Sequence, residues 1–184
     1  MSSPALTFRV HGAILEAQGH YVRCIDDDRL EDWPGFFVDE CHYRITTADN
    51  HRRGLPAGIV WADSRGMLVD RVSALREANI YERHSYRHLL GAPAVLSAEP
   101  TPGVLSAEPT PGVLSAEPAP DGAVDVRSET SFLVVRITGD GPTDLFASGR
   151  YIDRYLVGDD RALLCERVVV CDSSRIDTLL AVPL

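Results

Sequence analysis

The spacing of apolar residues changes along the chain, and this change limits the folds that the chain can adopt. Near the start, apolar residues recur at three- and four-residue steps, which predicts the buried stripe of an amphipathic helix. These residues are Val10, Ile14, Ala17, Tyr21 and Ile25. Near the end, three segments are typical of strands separated by Gly and Asp turns: Thr130–Thr138, Leu145–Leu156 and Ala162–Cys171. Helices followed by strands favour an α+β domain, in which a curved antiparallel sheet wraps over the helices.

Shorter elements lie between these two parts. Glu31–Phe37 (EDWPGFF) predicts a short helix or turn whose aromatic residues belong to the core, and Cys41–Thr47 alternates like a strand. Gly58–Ala62 is an apolar run suited to a buried strand. Ser64 is a helix-capping residue type, and the helix it predicts runs through four apolar positions. Those positions are Met67, Leu68, Val72 and Leu75.

A nine-residue repeat interrupts the second half of the chain. Val95–Gly103 reads VLSAEPTPG, Val104–Gly112 repeats it without change, and a third copy starts at Val113 with small differences. Two prolines and a glycine per unit predict a solvated, polyproline-like loop without a sheet ladder. We interpret residues 95–122 as a tandem duplication tolerated in a surface loop, with a docking linker as the alternative. Residues 1–184 then form one domain, and we expect its fold to survive deletion of Leu96–Gly122.

Composition excludes several functions. The formal net charge is −9 and all 18 basic residues are arginines, so no lysine-rich face is available to bind nucleic acid. The absence of lysine also excludes a Walker phosphate loop and a pyridoxal Schiff base. Four scattered cysteines indicate a reducing compartment. Without a signal-peptide pattern or an apolar run of membrane-spanning length, we expect a cytoplasmic protein with no membrane partner.

Metal-binding patterns are incomplete. A Rieske centre needs two cysteines and two histidines, and no second pair follows Cys41-His42. His84 and His88, with Glu82, resemble a two-histidine, one-carboxylate iron site, but a basic surface or interface segment is the better interpretation because arginines and tyrosines are interleaved with them. We therefore predict no metal ligands, no cofactor-binding residues and no catalytic residues in this chain.

Nucleophilic chemistry has no better support. Ser148 lacks the preceding glycine of a nucleophile elbow, and Gly139-Asp140-Gly141 predicts a hairpin turn and no dinucleotide loop. Cys165 and Cys171 are an even number of residues apart on one predicted strand. This spacing places them on one face, as small buried apolar side chains.

The order of these parts resembles the small (β) subunit of aromatic-ring-hydroxylating dioxygenases. The resemblance is carried by Tyr43, Asp63, a helix with Arg71-Val72 and Leu75, and a strand with Arg87-His88. It extends over Cys41–Gly91 and the closing ERVVVCDSSRIDTLLAVPL, and the run DNHRRGLPAGIVWADS is its most specific part. The repeat is not a feature of this family pattern.

The resemblance implies a cone-like α+β fold of the nuclear transport factor 2 and scytalone dehydratase type. It implies a non-catalytic chain that joins a large (α) subunit in an α3β3 oxygenase acting on terephthalate or a related aromatic acid. The large subunit of such a complex is expected to hold a Rieske [2Fe–2S] cluster and mononuclear Fe(II), with electrons from NADH through a separate reductase. The best-placed cluster for contact with the large subunit is Tyr81, Arg83, Tyr86 and Arg87.

Two other functions remain open at this stage. Cone-fold relatives use an interior histidine and aspartate as acid and base, so the chain could be a stand-alone isomerase or dehydratase. His84 or His88 with Asp28 would then be the pair. The other possibility is a homo-oligomeric scaffold without a large subunit.

Overall fold

A computed structural model describes residues 4–56, 58–78, 84–101, 123–159, 161–173, 180 and 182–184. Its first half is mainly helical, with helices α1 (Pro4–Asp26), α2 (Ala48–Arg52) and α3 (Arg65–Glu77) and a 3₁₀ turn at Trp33–Phe36. The predicted stripe of α1 is confirmed, because Val10, Ile14, Tyr21 and Ile25 are all buried. Ser64 caps α3 as predicted, with its hydroxyl accepting a hydrogen bond from the Met67 N–H.

Seven strands form one sheet. They are β1 (Phe37–Thr47), β2 (Val60–Ala62), β3 (His84–Leu90), β4 (Ala94–Pro100), β5 (Val124–Thr138), β6 (Thr143–Val157) and β7 (Ala162–Cys171). The order across the sheet is β2-β1-β7-β6-β5-β3, and β4 also pairs with β5. The β1–β7 pair is parallel and the others are antiparallel. The predicted antiparallel β5–β6–β7 meander is therefore confirmed.

The core lies between α1, α3 and the inner face of this sheet. The aromatic residues of the 3₁₀ turn belong to it, as predicted, and Trp33 makes edge-to-face contacts with Phe37 and Tyr43. The Gly58–Ala62 run is only half buried, because the core covers only one face of β2, a strand at one edge of the sheet. Val60 and Ala62 point into the core, while Ile59 and Trp61 remain exposed.

The first copy of the repeat forms a strand, so the prediction of a loop without a sheet ladder is wrong for residues 95–100. Val95 pairs with Ser128 and Pro100 pairs with Val124, which makes most of the first copy the strand β4. Pro100 is compatible with this ladder because β4 pairs only with β5 among the described residues, and proline is tolerated on an edge strand. Residues 102–122, which include the other two copies, lie outside the described residues.

The two cysteines of β7 do not share a face, contrary to the prediction from their spacing. The register of β7 shifts between the pairs Tyr155–Leu164 and Arg154–Glu166, so Cys165 is an extra residue in a β-bulge. The bulge reverses the inward and outward alternation beyond it. Cys171 consequently belongs to the core, whereas Cys165 is partly exposed.

Candidate functional site

His88 and Asp26 form a buried pair at the junction of α1 and β3. The His88 Nδ1 lies 2.6 Å from an Asp26 carboxylate oxygen, and the His88 backbone N–H donates to the other oxygen at 3.0 Å. The His88 side chain has no solvent exposure. The prediction that Asp28 is the carboxylate beside this histidine is therefore wrong. The carboxylate that points inward belongs to Asp26, the last residue of α1.

Asp28 belongs to an exposed network on the other side of the α1 end. It adopts a positive φ of 57°, and its carboxylate accepts a hydrogen bond from Arg76 at 2.9 Å. The same guanidinium bonds Glu31 at 2.7 Å, and this hydrogen bond lowers the pKa of Glu31. Asp28 therefore fixes the end of α3 against the turn after α1 and does not face the interior.

His84 and His88 do not form the metal pair that their spacing suggested. Both lie on β3, where four residues span about 13 Å, which is too far for two ligands of one ion. The Tyr86 ring lies between them, with its centroid 4.9 Å from that of His84 and 6.0 Å from that of His88. Glu82 lies outside the described residues. Within the described part of the chain, no group of three or more His, Cys, Asp and Glu side chains could hold a metal ion.

A buried ion pair occupies the interior where the long strands face α1. Arg167 donates to Asp153 through Nε at 2.9 Å and through Nη2 at 2.7 Å. Its guanidinium packs against the rings of both Tyr21 and Tyr151, 4.1 Å from each centroid. Burial is the largest single influence and acts to lower the pKa of Arg167, but Asp153, Tyr155 and Tyr21 together outweigh it and hold the pKa well above its ordinary value.

Two further groups complete this interior network. The Tyr155 hydroxyl donates to Asp153 at 3.1 Å and accepts from Arg167 at 3.0 Å. Gln18 of α1 donates to Thr130 at 2.8 Å and so links the helix to β5. The signal in the sequence was the alternation Tyr151, Asp153, Tyr155, which places one carboxylate between two aromatic rings on the inner face.

The described end of the chain packs against the same interior. The Leu184 carbonyl oxygen accepts hydrogen bonds from the Tyr21 and Tyr43 hydroxyls, each at 3.0 Å. Arg71, one of the residues that carried the resemblance, donates to the Leu180 carbonyl oxygen at 2.6 Å. Leu180, Val182 and Leu184 are buried, so this segment covers the inner side of β1 and α3.

The cysteines are poor nucleophiles in the folded chain. Burial raises the pKa of Cys24 and of Cys41 to about 11, and that of Cys171 to about 12. A thiol with such a pKa carries almost no thiolate at neutral pH. All four cysteines are free.

The predicted contact cluster is only partly at the surface. Tyr86 is buried and stacks on Phe146 at 5.1 Å, so it belongs to the inner face of β3 and the prediction for it is wrong. Its alternation with Arg87 explains this, since successive residues of a strand point to opposite faces. Arg87 is exposed as predicted. Tyr81 and Arg83 lie outside the described residues.

Comparison with known proteins decides the family. The chain is 48% identical over 164 residues to two Comamonas proteins named as β subunits 1 and 2 of the terminal oxygenase component of terephthalate 1,2-dioxygenase. Each alignment covers 89% of this chain and 92% of the relative. This chain belongs to the small subunits of aromatic-ring-hydroxylating dioxygenases. The anthranilate 1,2-dioxygenase small subunit of Burkholderia cepacia is 34% identical, over 93% of this chain and 92% of the relative. No protein-family model matches.

Solved structures agree with this assignment. A structure described as the β subunit of an aromatic-ring-hydroxylating dioxygenase from Novosphingobium aromaticivorans has a TM-score of 0.75 and 35% identity, with 97% of this chain and 99% of that chain covered. A structure described as a scytalone dehydratase from the same organism has a TM-score of 0.60 at 13% identity, with 93% and 89% covered. The second likeness concerns the fold alone, and it confirms the predicted cone-like α+β class.

The small subunit's own donors do not fit the iron centres of such an oxygenase. His42 follows Cys41, but its Nδ1 is 2.9 Å from Asp63, and burial keeps the Cys41 thiol protonated. His88 is engaged by Asp26. Among the described residues there is accordingly no set of two thiolates and two imidazoles for a Rieske cluster.

Proposed function

We propose that this chain is the non-catalytic small subunit of an α3β3 oxygenase that converts terephthalate to its cis-dihydrodiol. The 48% identity to subunits named for terephthalate 1,2-dioxygenase supports this substrate over anthranilate, for which the identity is 34%. The large subunit would supply the Rieske cluster and mononuclear Fe(II). In the overall reaction, both atoms of O₂ enter the ring, and NADH with one proton supplies the two electrons through a reductase.

The residues in the interior of the small subunit support the proposal that this chain is not catalytic. In a cone-fold enzyme the substrate would enter the space between the helices and the sheet. Here that space holds the Arg167–Asp153 ion pair, in which neither side chain is exposed to solvent. A guanidinium that contacts two rings and is doubly bonded to a carboxylate stabilises the fold and leaves no free acid or base at that position. Four free cysteines agree with a cytoplasmic location.

A stand-alone isomerase or dehydratase is the second candidate, because His88 and Asp26 form the kind of pair that acid–base catalysis uses. The His88 side chain is fully buried, however, and substrate would need an opening to reach its Nε2. The rival predicts turnover by the isolated chain that is abolished in His88→Ala. Our proposal predicts no turnover by the isolated chain.

The test of the main proposal is reconstitution. The small subunit is produced with and without a terephthalate-type large subunit, and each preparation is mixed with reductase, NADH and terephthalate. We expect one hexamer by light scattering and terephthalate-dependent NADH oxidation only when both subunits are present. Anthranilate serves as the matched substrate control. Failure of the two subunits to associate, or a preference for anthranilate, would contradict the proposal.

A further inference from the structure

Helix α1 has an outer face with exposed apolar side chains. Phe8 is 83% exposed and Leu15 is 53% exposed, although the opposite side of the same helix is buried in the core. Gly12 and Gly19 lie on the same face, because residues 8, 12, 15 and 19 recur at steps of four and three. We name these four residues the α1 face. None of them belongs to the core that the described residues form.

The two glycines are unfavourable for the helix on its own. Glycine inside a helix is destabilising relative to alanine, because it loses more backbone entropy on folding. In the described part of the chain, a Cβ atom added at Gly12 or at Gly19 would meet no atom of a neighbouring element within 4 Å. The fold of the single chain therefore does not require a small residue at either position. A second helix that packs closely against α1 does require it.

The α1 face is complementary to a second copy of itself. Its residues follow the spacing of a heptad, with large side chains at one of the two apolar positions and glycines at the other. Phe8 and Gly19 are equally far from the midpoint between Gly12 and Leu15. An antiparallel copy turned about this midpoint therefore places its Gly19 opposite Phe8 and its Gly12 opposite Leu15. Each large side chain meets a glycine, and the twofold axis repeats both contacts.

The charged groups beside the α1 face fit the same arrangement. Arg9 and Glu16 lie on one flank of the face, two helical turns apart, and the antiparallel arrangement brings the Glu16 of each copy beside the Arg9 of the other. Arg9 already bonds Asp159 at 2.8 Å through one of its terminal nitrogens, and its side chain is 43% exposed. A guanidinium has five N–H donors, so it can also bind the second carboxylate. The charged residues on the exposed side of α1 and along the adjoining cleft have both signs: Arg9, Arg23, Arg161, Glu16 and Asp159.

We infer that the α1 face docks two copies of this chain, with α1 packed antiparallel against α1 about a twofold axis. A second copy fits better than a different partner, because each large side chain of the face has its matching glycine within the same helix. The contact goes beyond the proposed function, since it needs no large subunit. A twofold axis is not part of a threefold ring, so in the proposed oxygenase this contact would join two α3β3 assemblies through their small subunits.

Sedimentation equilibrium of the full-length chain, produced without a large subunit, tests the inference together with the melting temperature of each variant. We expect a monomer–dimer equilibrium for the original chain. Gly12→Gln should raise the dissociation constant about tenfold or more, because the new side chain fills the space that receives Leu15. Its melting temperature in dilute solution should be unchanged or higher, since glutamine forms helices better than glycine. Gly66→Gln is the matched control, because Gly66 is an exposed glycine of α3, and its dissociation constant should stay within about twofold of the original.

Two charge reversals test the twofold arrangement itself. Glu16→Arg places two arginines together and Arg9→Glu places two glutamates together, so each variant alone should dimerise more weakly than the original chain. A mixture of the two variants restores an arginine–glutamate pair at both positions. We therefore expect the mixed dimer to form in preference to either homodimer, and high salt should reduce this preference.

Three results would overturn the inference. They are an original chain that stays monomeric at every concentration, a Gly12→Gln chain that dimerises as well as the original, and a mixture of the charge variants without a preference for the mixed dimer. Failure of the chain to join a large subunit would overturn the proposed function and leave this inference standing, since the dimer is measured without that subunit.

Discussion

Arg167 and Asp153 form an ion pair with no solvent exposure of either side chain, joined by two hydrogen bonds of 2.9 and 2.7 Å. The two residues lie on neighbouring strands, where Asp153 of β6 stands opposite Arg167 of β7. Tyr21 of α1 covers the guanidinium from the helix side. One charged pair therefore ties the helix to the two central strands, and its disruption leaves an uncompensated charge in the interior.

Replacing Arg167 should strongly destabilise the small subunit. We expect Arg167→Met to lower the free energy of unfolding by about 3–5 kcal/mol, because Asp153 remains buried without its partner. The matched control is Arg154→Met, since the Arg154–Asp125 pair joins β6 to β5 at the exposed face. Its loss should cost less than about 1 kcal/mol. Urea unfolding of both variants checks this, and equal losses would contradict a special role for the buried pair.

Asp26 and Asp28 should respond differently to the same substitution. Asp26→Asn removes the charge that accepts hydrogen bonds from both the ring and the backbone of His88, and we expect a loss of about 1–3 kcal/mol. Asp28→Asn affects an exposed side chain in a positive-φ position that asparagine tolerates, so the loss should stay below about 1 kcal/mol. Thermal melts of the two variants decide the point. A larger loss for Asp28→Asn would show that the turn matters more than the buried pair.

Two deletions in the repeat should have opposite effects. Removing residues 101–118 joins Pro100 to Ala119 and keeps β4. In the original chain the Thr101 N–H donates to the Ala123 carbonyl oxygen at 2.9 Å, and the Ala119 N–H takes the place of this donor in the shortened chain. The shorter connection should leave stability unchanged or raise it by about 1 kcal/mol. Removing Leu96–Gly122 takes most of β4 with it and uncovers the edge of β5. Because of this strand pairing, we expect the longer deletion to lower the stability of the small subunit, whereas the sequence alone led us to expect no effect.

The measurement for both deletions is the melting temperature and the hexamer content with the large subunit. A drop of the melting temperature in the 101–118 deletion would show that the additional copies stabilise the small subunit. An unchanged melting temperature in the 96–122 deletion would show that β4 contributes nothing.

Alkaline conditions should unfold the small subunit cooperatively. Burial raises the pKa of Tyr21, Tyr43, Tyr151 and Tyr155, so these phenols stay protonated when folded. In the unfolded chain they ionise near the ordinary value of about 10. The unfolded state then binds fewer protons, and stability falls as pH rises through that value. Phenolate absorbance should therefore rise together with the loss of circular dichroism, and smooth titration of a folded protein would contradict this.

Local patterns in the sequence were sufficient for most of the elements. The stripe from Val10 to Ile25 predicts α1 because a helix brings residues three and four apart onto one face. Ser64 marks the start of α3 because a side-chain oxygen can satisfy a free N–H of the first turn. The order of these elements, with the resemblance of residues 41–91, also predicted the family. Each of these inferences depends on neighbours in the sequence.

The tertiary structure decided which side chains meet. Asp26 pairs with His88 across 62 residues, and whether Asp26 or Asp28 turns inward depends on where α1 ends against β3. The bulge at Cys165 reverses which residues of β7 point into the core, and no local sequence pattern predicts it. Trp61 stands in an apolar run that predicted burial, yet it is exposed because it lies on the face of β2 that is not packed against the core. Periodicity fixes the faces of an element, but only packing between elements determines which face is covered.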